Sequence, residues 1–260
     1  MLKFKIILLF SMFVSIGLKA ADTTKTSAMG FRNTIMIGVN YSKQVPVGLL
    51  SKRFGSSNSV GASLGYKFGR NFQIQGAING MFSGKVKENN MFDTMIGQSG
   101  YLIDINGNFA EVRLYERGYN WHFDFGKVFT INRFDINSGL LVTAGAGFMQ
   151  HKIKYTFQRT VLPQLEGEYA KGYDRLTNGF MLRGFIGYQR IDKQAMFNFV
   201  AGIEVLNGYT KNRRSYNYDT RTADTRSRND LLIGFKFGIM VNIDGRLAGT
   251  KKGEEGKFFD

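Results

Sequence analysis

The 260-residue chain carries 35 Lys and Arg against 20 Asp and Glu, a formal net charge of +15, with 32 glycines, 2 prolines and no cysteine. The absence of cysteine excludes a disulfide framework, and a mean hydropathy of −0.20 leaves no mature run apolar enough for a transmembrane helix. No nucleic-acid motif accompanies the basic charge, which points to anionic lipid head groups and away from nucleic acid.

The first residues read as an export signal. Lys3 and Lys5 precede an apolar stretch over 6–16, and Leu18, Lys19, Ala20 and Ala21 supply small residues for cleavage after Ala20 or Ala21. A signal peptide is expected over 1–21, followed by an N-terminal periplasmic segment over 22–32. No cysteine follows the apolar run, so a lipoprotein anchor is excluded. Loss of Lys3, Lys5 and Lys19 with the signal leaves a net charge of +12.

Beyond residue 32 the chain alternates with a period of two, which places successive side chains on opposite faces of a strand. Eight strands are expected. The first spans 33–42, with Ile35, Ile37, Val39 and Tyr41 on one face. The second spans 59–69 (Val60, Ala62, Leu64, Tyr66, Phe68 outward), and a tight turn at Arg70 and Asn71 leads to the third over 72–82 (Phe72, Ile74, Ile78, Phe82). The fourth runs from about 111 to 128 with Tyr115, Tyr119, Trp121, Phe123 and Phe125 outward. After a turn at 132–137, the fifth covers 139–155 (Leu140, Val142, Ala144, Ala146, Phe148). The sixth covers 178–189 (Phe180, Leu182, Ile186, Tyr188). A short turn over 191–194 enters the seventh, 195–209. The eighth, 231–243, sets Leu231, Ile233, Phe235, Phe237, Ile239, Val241 and Ile243 against Leu232, Gly234, Lys236, Gly238, Met240 and Asn242.

An apolar face repeated over strands of about ten residues is the pattern of a membrane barrel. Connections alternate: short after strands two, four and six, long over 43–58, 83–110, 156–177 and 210–230. Short periplasmic turns and long surface loops are the rule for such barrels. Aromatics fall near both expected borders: Tyr41, Phe82, Tyr115 and Phe180 outside, Phe68, Phe72, Phe125 and Tyr188 inside. The expected fold is an all-β, eight-stranded antiparallel up-and-down transmembrane barrel over 33–243, in the bacterial outer membrane, with a periplasmic tail over 244–260.

Eight strands leave room for side chains and none for an open channel. The inward set includes Ser63, Lys67, Gln73, Gln75, Asn79, Glu116, Asn120, His122, Asp124, Thr143, Arg183, Glu204 and Lys236. Buried charges need partners. Arg183, Glu204 and Lys236 lie on consecutive strands and are expected in the outer half, with Glu116 reaching them across the lumen as a plug of ion pairs. Two histidines invite comparison with barrel enzymes. His122 shares a face with Asp124, two residues and about 7 Å away along a strand. His151 lies near the outer rim beside Lys152 and Lys154, where Glu166 and Glu168 could orient it. A general base needs its nucleophile within hydrogen-bond reach, and no nucleophile motif, phosphate-binding glycine loop or metal cluster is present. No catalytic residue, cofactor or metal is assigned.

The loop over 210–230 carries Lys211, Arg213, Arg214, Arg221, Arg226 and Arg228 against three aspartates, interleaved with Tyr216 and Tyr218. Arg and Tyr are favoured interface anchors, and the charge suits lipopolysaccharide phosphates. The segments QHKIKYTFQ, PQLEGEYAKGYDRLTNG and RRSYNYDT, with VGLLSKRFG over 47–55, resemble a family of small outer-membrane β-barrels of Bacteroidota. The resemblance runs from about residue 47 to the eighth strand. It implies location and fold, and brings no catalytic residues with it. Small barrels of those bacteria can serve larger envelope machines for secretion or outer-membrane protein assembly. The expected function is therefore a non-enzymatic structural or accessory subunit that presents its basic loop to a protein partner or to lipopolysaccharide. The alternatives are a lipid-modifying barrel enzyme and a small-solute pore.

Overall fold

The computed structural model describes residues 31–244, apart from 32, 97–101, 133, 158–161 and 193–196. The expected signal peptide, most of the expected 22–32 segment and the tail beyond 244 lie outside the described residues.

Eight long strands close into one antiparallel barrel. They are β1 (Thr34–Val47), β2 (Ser57–Phe68), β3 (Phe72–Ser83), β6 (Val112–Asn132), β7 (Asp135–Phe157), β8 (Thr177–Arg190), β9 (Asn198–Asn212) and β10 (Ser227–Asp244). Two short strands, β4 (Leu102–Ile103) and β5 (Phe109–Ala110), form a separate hairpin between β3 and β6. Each long strand pairs with its predecessor among the eight, and β1 pairs β10 from Thr34 opposite Asp244 to Val47 opposite Leu231, which removes both sheet edges.

Burial follows the period of two. On β1, Ile35, Ile37, Val39 and Tyr41 are exposed while Thr34, Met36, Asn40, Ser42 and Gln44 are buried. On β10, Ile233, Phe235, Phe237, Ile239 and Val241 are exposed, against buried Leu232, Lys236 and Met240. An exterior built of Ile, Val, Leu and Phe over a polar interior is inverted relative to a water-soluble barrel. It is the surface of a transmembrane barrel of the outer-membrane type.

The strands run further than their apolar faces. β1 continues through Val47, β9 through Asn212, and β10 begins at Ser227. Lys211 and Arg228 are therefore strand residues, where a loop is expected over 210–230. The β6–β7 hairpin is the tallest part, at 21 and 23 residues, about twice what a membrane crossing needs. β3 ends with Ser83 opposite Glu116, and β8 begins with Thr177 opposite His151. Beyond those pairs β6 and β7 continue together as a two-stranded ribbon at the outer end. At the periplasmic end, Asn71 turns the chain at φ 65° and its side chain donates to the Ile136 carbonyl at 2.6 Å.

Candidate functional site: a sealed lumen under an ion-paired cap

The lumen is stratified. At mid-height, Arg183 Nη1 donates to Asp124 Oδ2 at 2.7 Å and Nη2 to Glu204 Oε2 at 3.0 Å. Glu204 also accepts from Ser42 and, at 3.0 Å, from Gln44 Nε2. Taking ions out of water costs several kcal/mol each, roughly, and only such multiple hydrogen bonds recover it. Lys236 lies beside this cluster and makes no ion pair among the described residues. With Arg183, Gln73, Gln75, Asn40 and Thr143 it lines a cavity of about 30 Å³, polar and roomy enough to hold ordered water.

Two expectations about this cluster are corrected. The expected partner Glu116 is buried at the upper end of β6 and makes no ion pair among the described residues. It stands eight residues along β6 from Asp124, too far to reach Arg183, so Asp124 fills the role given to it. The cluster also sits mid-barrel instead of in the outer half. That half is filled by Met81, Met149, Met181, Leu206 and Leu232, each at most 2% exposed. Withdrawing each such side chain from water contributes roughly 1.5–3 kcal/mol. The layer closes the lumen to water from outside.

Among the described residues, neither histidine has a hydroxyl or thiol as its hydrogen-bond partner. His122 Nδ1 lies 3.1 Å from Asp124 Oδ2 and Nε2 lies 3.3 Å from Asn79 Nδ2, both inside the packed lumen. The side chains of His122 and Asp124 thus lean together across their two-residue spacing. His151 is buried above the methionine layer, with Nε2 2.9 Å from Asp230 Oδ2. Asp230 orients it. Glu166 and Glu168 do not, and Glu168 pairs with Lys171 at 2.6 Å. The Thr210 hydroxyl bonds Asp230 and not the imidazole, so the arrangement joins β7, β9 and β10 without activating the hydroxyl. Phe54 covers His151 edge-on at 5.5 Å.

Over this rim the outer connections fold into a cap. Leu50 and Phe54 from the first, Met91, Phe92, Leu102 and Ala110 from the second, and Leu162, Leu165 and Tyr173 from the third pack onto the methionine layer as one apolar cluster. A chain of charges ties all four connections together. Arg53 Nε and Arg175 Nε lie 2.7 Å from the two oxygens of Glu88, and Arg175 also pairs with Asp219. Sequence reasoning missed this chain because its members come from four loops with no local pattern.

The basic loop is divided between cap and surface. Arg214 binds both oxygens of Asp174, at 2.7 and 2.5 Å, and this hydrogen bonding raises its pKa. Arg228 pairs with Asp224. Burial favours neutral Asp224, but the hydrogen bond and charge of Arg228 outweigh it and hold the carboxyl below its ordinary value. Arg213 Nε donates to the neutral Asn178, leaving its charge unpaired. Lys211, Arg221 and Arg226 are exposed and make no ion pair among the described residues. Tyr216 and Tyr218 are partly exposed. Tyr218 touches Tyr216, Tyr173 and Tyr169, with ring centroids 5.9, 5.5 and 6.4 Å away. Gly172 makes room for that ring, since a Cβ there would fall 2.0 Å from it.

No family model and no curated relative matches the chain. Among solved structures, it is similar to the attachment invasion locus protein Ail of Yersinia pestis at 9% identity, over 83% of this chain and 100% of Ail, with a TM-score of 0.41. It is likewise similar to Neisserial surface protein A at 12% identity, over 80% of this chain and 97% of that one (TM-score 0.38). A third is the outer membrane protein OprG of Pseudomonas aeruginosa, at 12% identity over 81% and 96% (TM-score 0.38).

Proposed function

We propose that the protein is a non-enzymatic outer-membrane subunit that acts through the outer face of its cap, as a structural or accessory component of an envelope complex for secretion or outer-membrane protein assembly. The observation that carries this reading is the coupling of a sealed lumen to a tied-down cap. Lys211, Arg213, Arg221 and Arg226, with Tyr216 and Tyr218, face outward on a frame of ion pairs. Tyr and Arg held in place before binding lose little conformational freedom when a partner arrives. The surplus of cations selects an acidic protein surface. Expected resemblance to the small Bacteroidota barrels supports the same setting.

The test is affinity purification of the tagged protein from its own membranes. Replacing Lys211, Arg221 and Arg226 with Ser is expected to reduce co-purified partner, with the barrel still folded by heat-dependent gel mobility. Recovery from wild type should fall as salt rises, since exposed charges are screened within about 10 Å at 0.1 M. Full recovery with the triple variant would remove this loop from the contact.

A further inference from the structure

Above the aromatic belt, the outer wall of the β6–β7 hairpin presents an uncompensated cationic patch. In this register Trp121 opposes Phe148, Tyr119 opposes Gln150, Arg117 opposes Lys152 and Tyr115 opposes Lys154. All these side chains point outward, away from buried Glu116, Asn120, Met149, His151 and Ile153. Towards the outside, the wall therefore passes from rings, through a phenol and an amide, to cations. Trp121 stacks on Phe148 at 6.4 Å and Tyr119 leans on the same ring at 6.4 Å. Each step of two residues rises about 6.7 Å along a strand, or about 5 Å along the membrane normal at the usual tilt. Taken from Tyr119 as the last ring of the belt, Arg117 and Lys152 thus stand about 5 Å up, inside the head-group layer, which is about 5–8 Å deep on each side of the hydrocarbon, and Lys154 stands about 10 Å up, just beyond it.

The pairing itself calls for a ligand. Directly opposed residues of an antiparallel pair have Cβ atoms about 5 Å apart, and like charges placed so are destabilising. Arg117 and Lys152 are such a pair, and Lys154 is the diagonal neighbour of Arg117. None of the three is within ion-pair distance of a carboxylate among the described residues. Arg113, one step further out, already pairs with Glu111 at 2.9 Å. The Arg117 guanidinium is held over the Tyr115 ring at 5.0 Å and donates through Nη1 to the Glu116 carbonyl at 2.7 Å. Its other donors reach no carboxylate among the described residues, and Lys152 and Lys154 are exposed beside it in the strand ladder.

We infer that Arg117, Lys152 and Lys154 form a binding site for the phosphate of an outer-leaflet glycolipid. A phosphate accepts hydrogen bonds from a guanidinium fork and point-charge contacts from two ammonium groups, and the acyl chains below it would lie along Phe148, Trp121 and Phe123. The height of the patch at the lipid border favours this occupant over the acidic surface of a soluble protein. The site is separate from the cap face of the proposed function, so each can fail without the other.

The full-length protein in nanodiscs of phosphatidylcholine, doped with diphosphorylated lipid A or with its dephosphorylated form, tests the assignment by native mass spectrometry of retained lipid. Wild type is expected to retain the phosphorylated form about tenfold better than a variant with Arg117→Gln, Lys152→Gln and Lys154→Gln, whose donors are charge-neutral. The dephosphorylated form should show no such difference. In a zwitterionic detergent without phosphate the variant should unfold later than wild type, because the cross-strand repulsion is gone. Equal retention of both lipid forms by wild type, or undiminished retention by the folded variant, would overturn the site. Capture of an acidic protein by the patch, with no lipid preference, would overturn it in favour of a protein contact.

Discussion

Asp124 and Arg183 meet at 2.7 Å over Gly145, the residue that separates them in the strand ladder. A glycine is needed there because a Cβ would fall 2.1 Å from Asp124 Oδ1. Gly145→Ala is therefore expected to part the pair and destabilise the barrel by about 3 kcal/mol, combining overpacking with a broken buried ion pair. Urea unfolding in lipid micelles, followed by the Trp121 fluorescence, reads the loss. An unchanged midpoint would mean that the pair is relaxed by water in the lumen.

The two buried glutamates should behave oppositely. Glu204→Ala removes one carboxylate from Arg183 and the acceptor of Ser42 and Gln44, and should cost about 3 kcal/mol. Glu116→Gln removes a charge that has no ion-pair partner among the described residues, and should be neutral or stabilising. Heat-dependent gel mobility of the two variants side by side separates them. Equal losses would return Glu116 to the ion cluster.

The contrast shows what a period of two reveals. It marks which side chains face inward, so Arg183, Glu204, Lys236, Asp124 and Glu116 were all legible as lumen residues. It does not show height, because strand tilt and register come from pairing across the whole barrel. Facing inward therefore does not make Glu116 an ion partner of Arg183, since it lies eight residues along the strand from Asp124. The methionine layer was legible in principle, since Met81 is in phase with inward Asn79 and Met149 with Gly147. Its methionines and leucines are scattered one to a strand among inward polar residues, so no single strand displays the layer. Asp230 beside His151, and Glu88 between Arg53 and Arg175, join residues from 35 to 87 positions apart. Nothing local in the sequence encodes such a meeting.

Glu88 is the keystone of the cap. Glu88→Ala leaves Arg53, which is 8% exposed, and Arg175 without their shared carboxylate. The four outer connections should then open locally while the barrel stays closed, since the strand ladder below does not involve them. Limited proteolysis is expected to cut the variant within 84–111 and 213–226 at a rate several-fold above wild type, with unchanged heat mobility of the barrel core. Protection equal to wild type would show that the apolar cluster alone holds the cap.

The methionine layer predicts how the lumen responds to current and to mutation. Met149 and Met181 show no exposed surface, and Met81, Leu206 and Leu232 at most 2%, so reconstitution in planar bilayers should yield no steady conductance. Met181→Ala removes a buried side chain from this seal and should cost about 2–5 kcal/mol, with the larger figure if the neighbours cannot collapse into the space. A single truncation leaves Met149, Leu206 and Leu232 across the same layer, and an apolar void of this kind stays dry. The variant should therefore be less stable yet still non-conducting. Replacing Met181 with Asp would instead draw water into the layer, and brief openings should follow if the salt cluster beneath is the only remaining barrier. Steady current through wild type would show that the seal opens in a bilayer, and the small-solute pore would then be the better reading of the lumen.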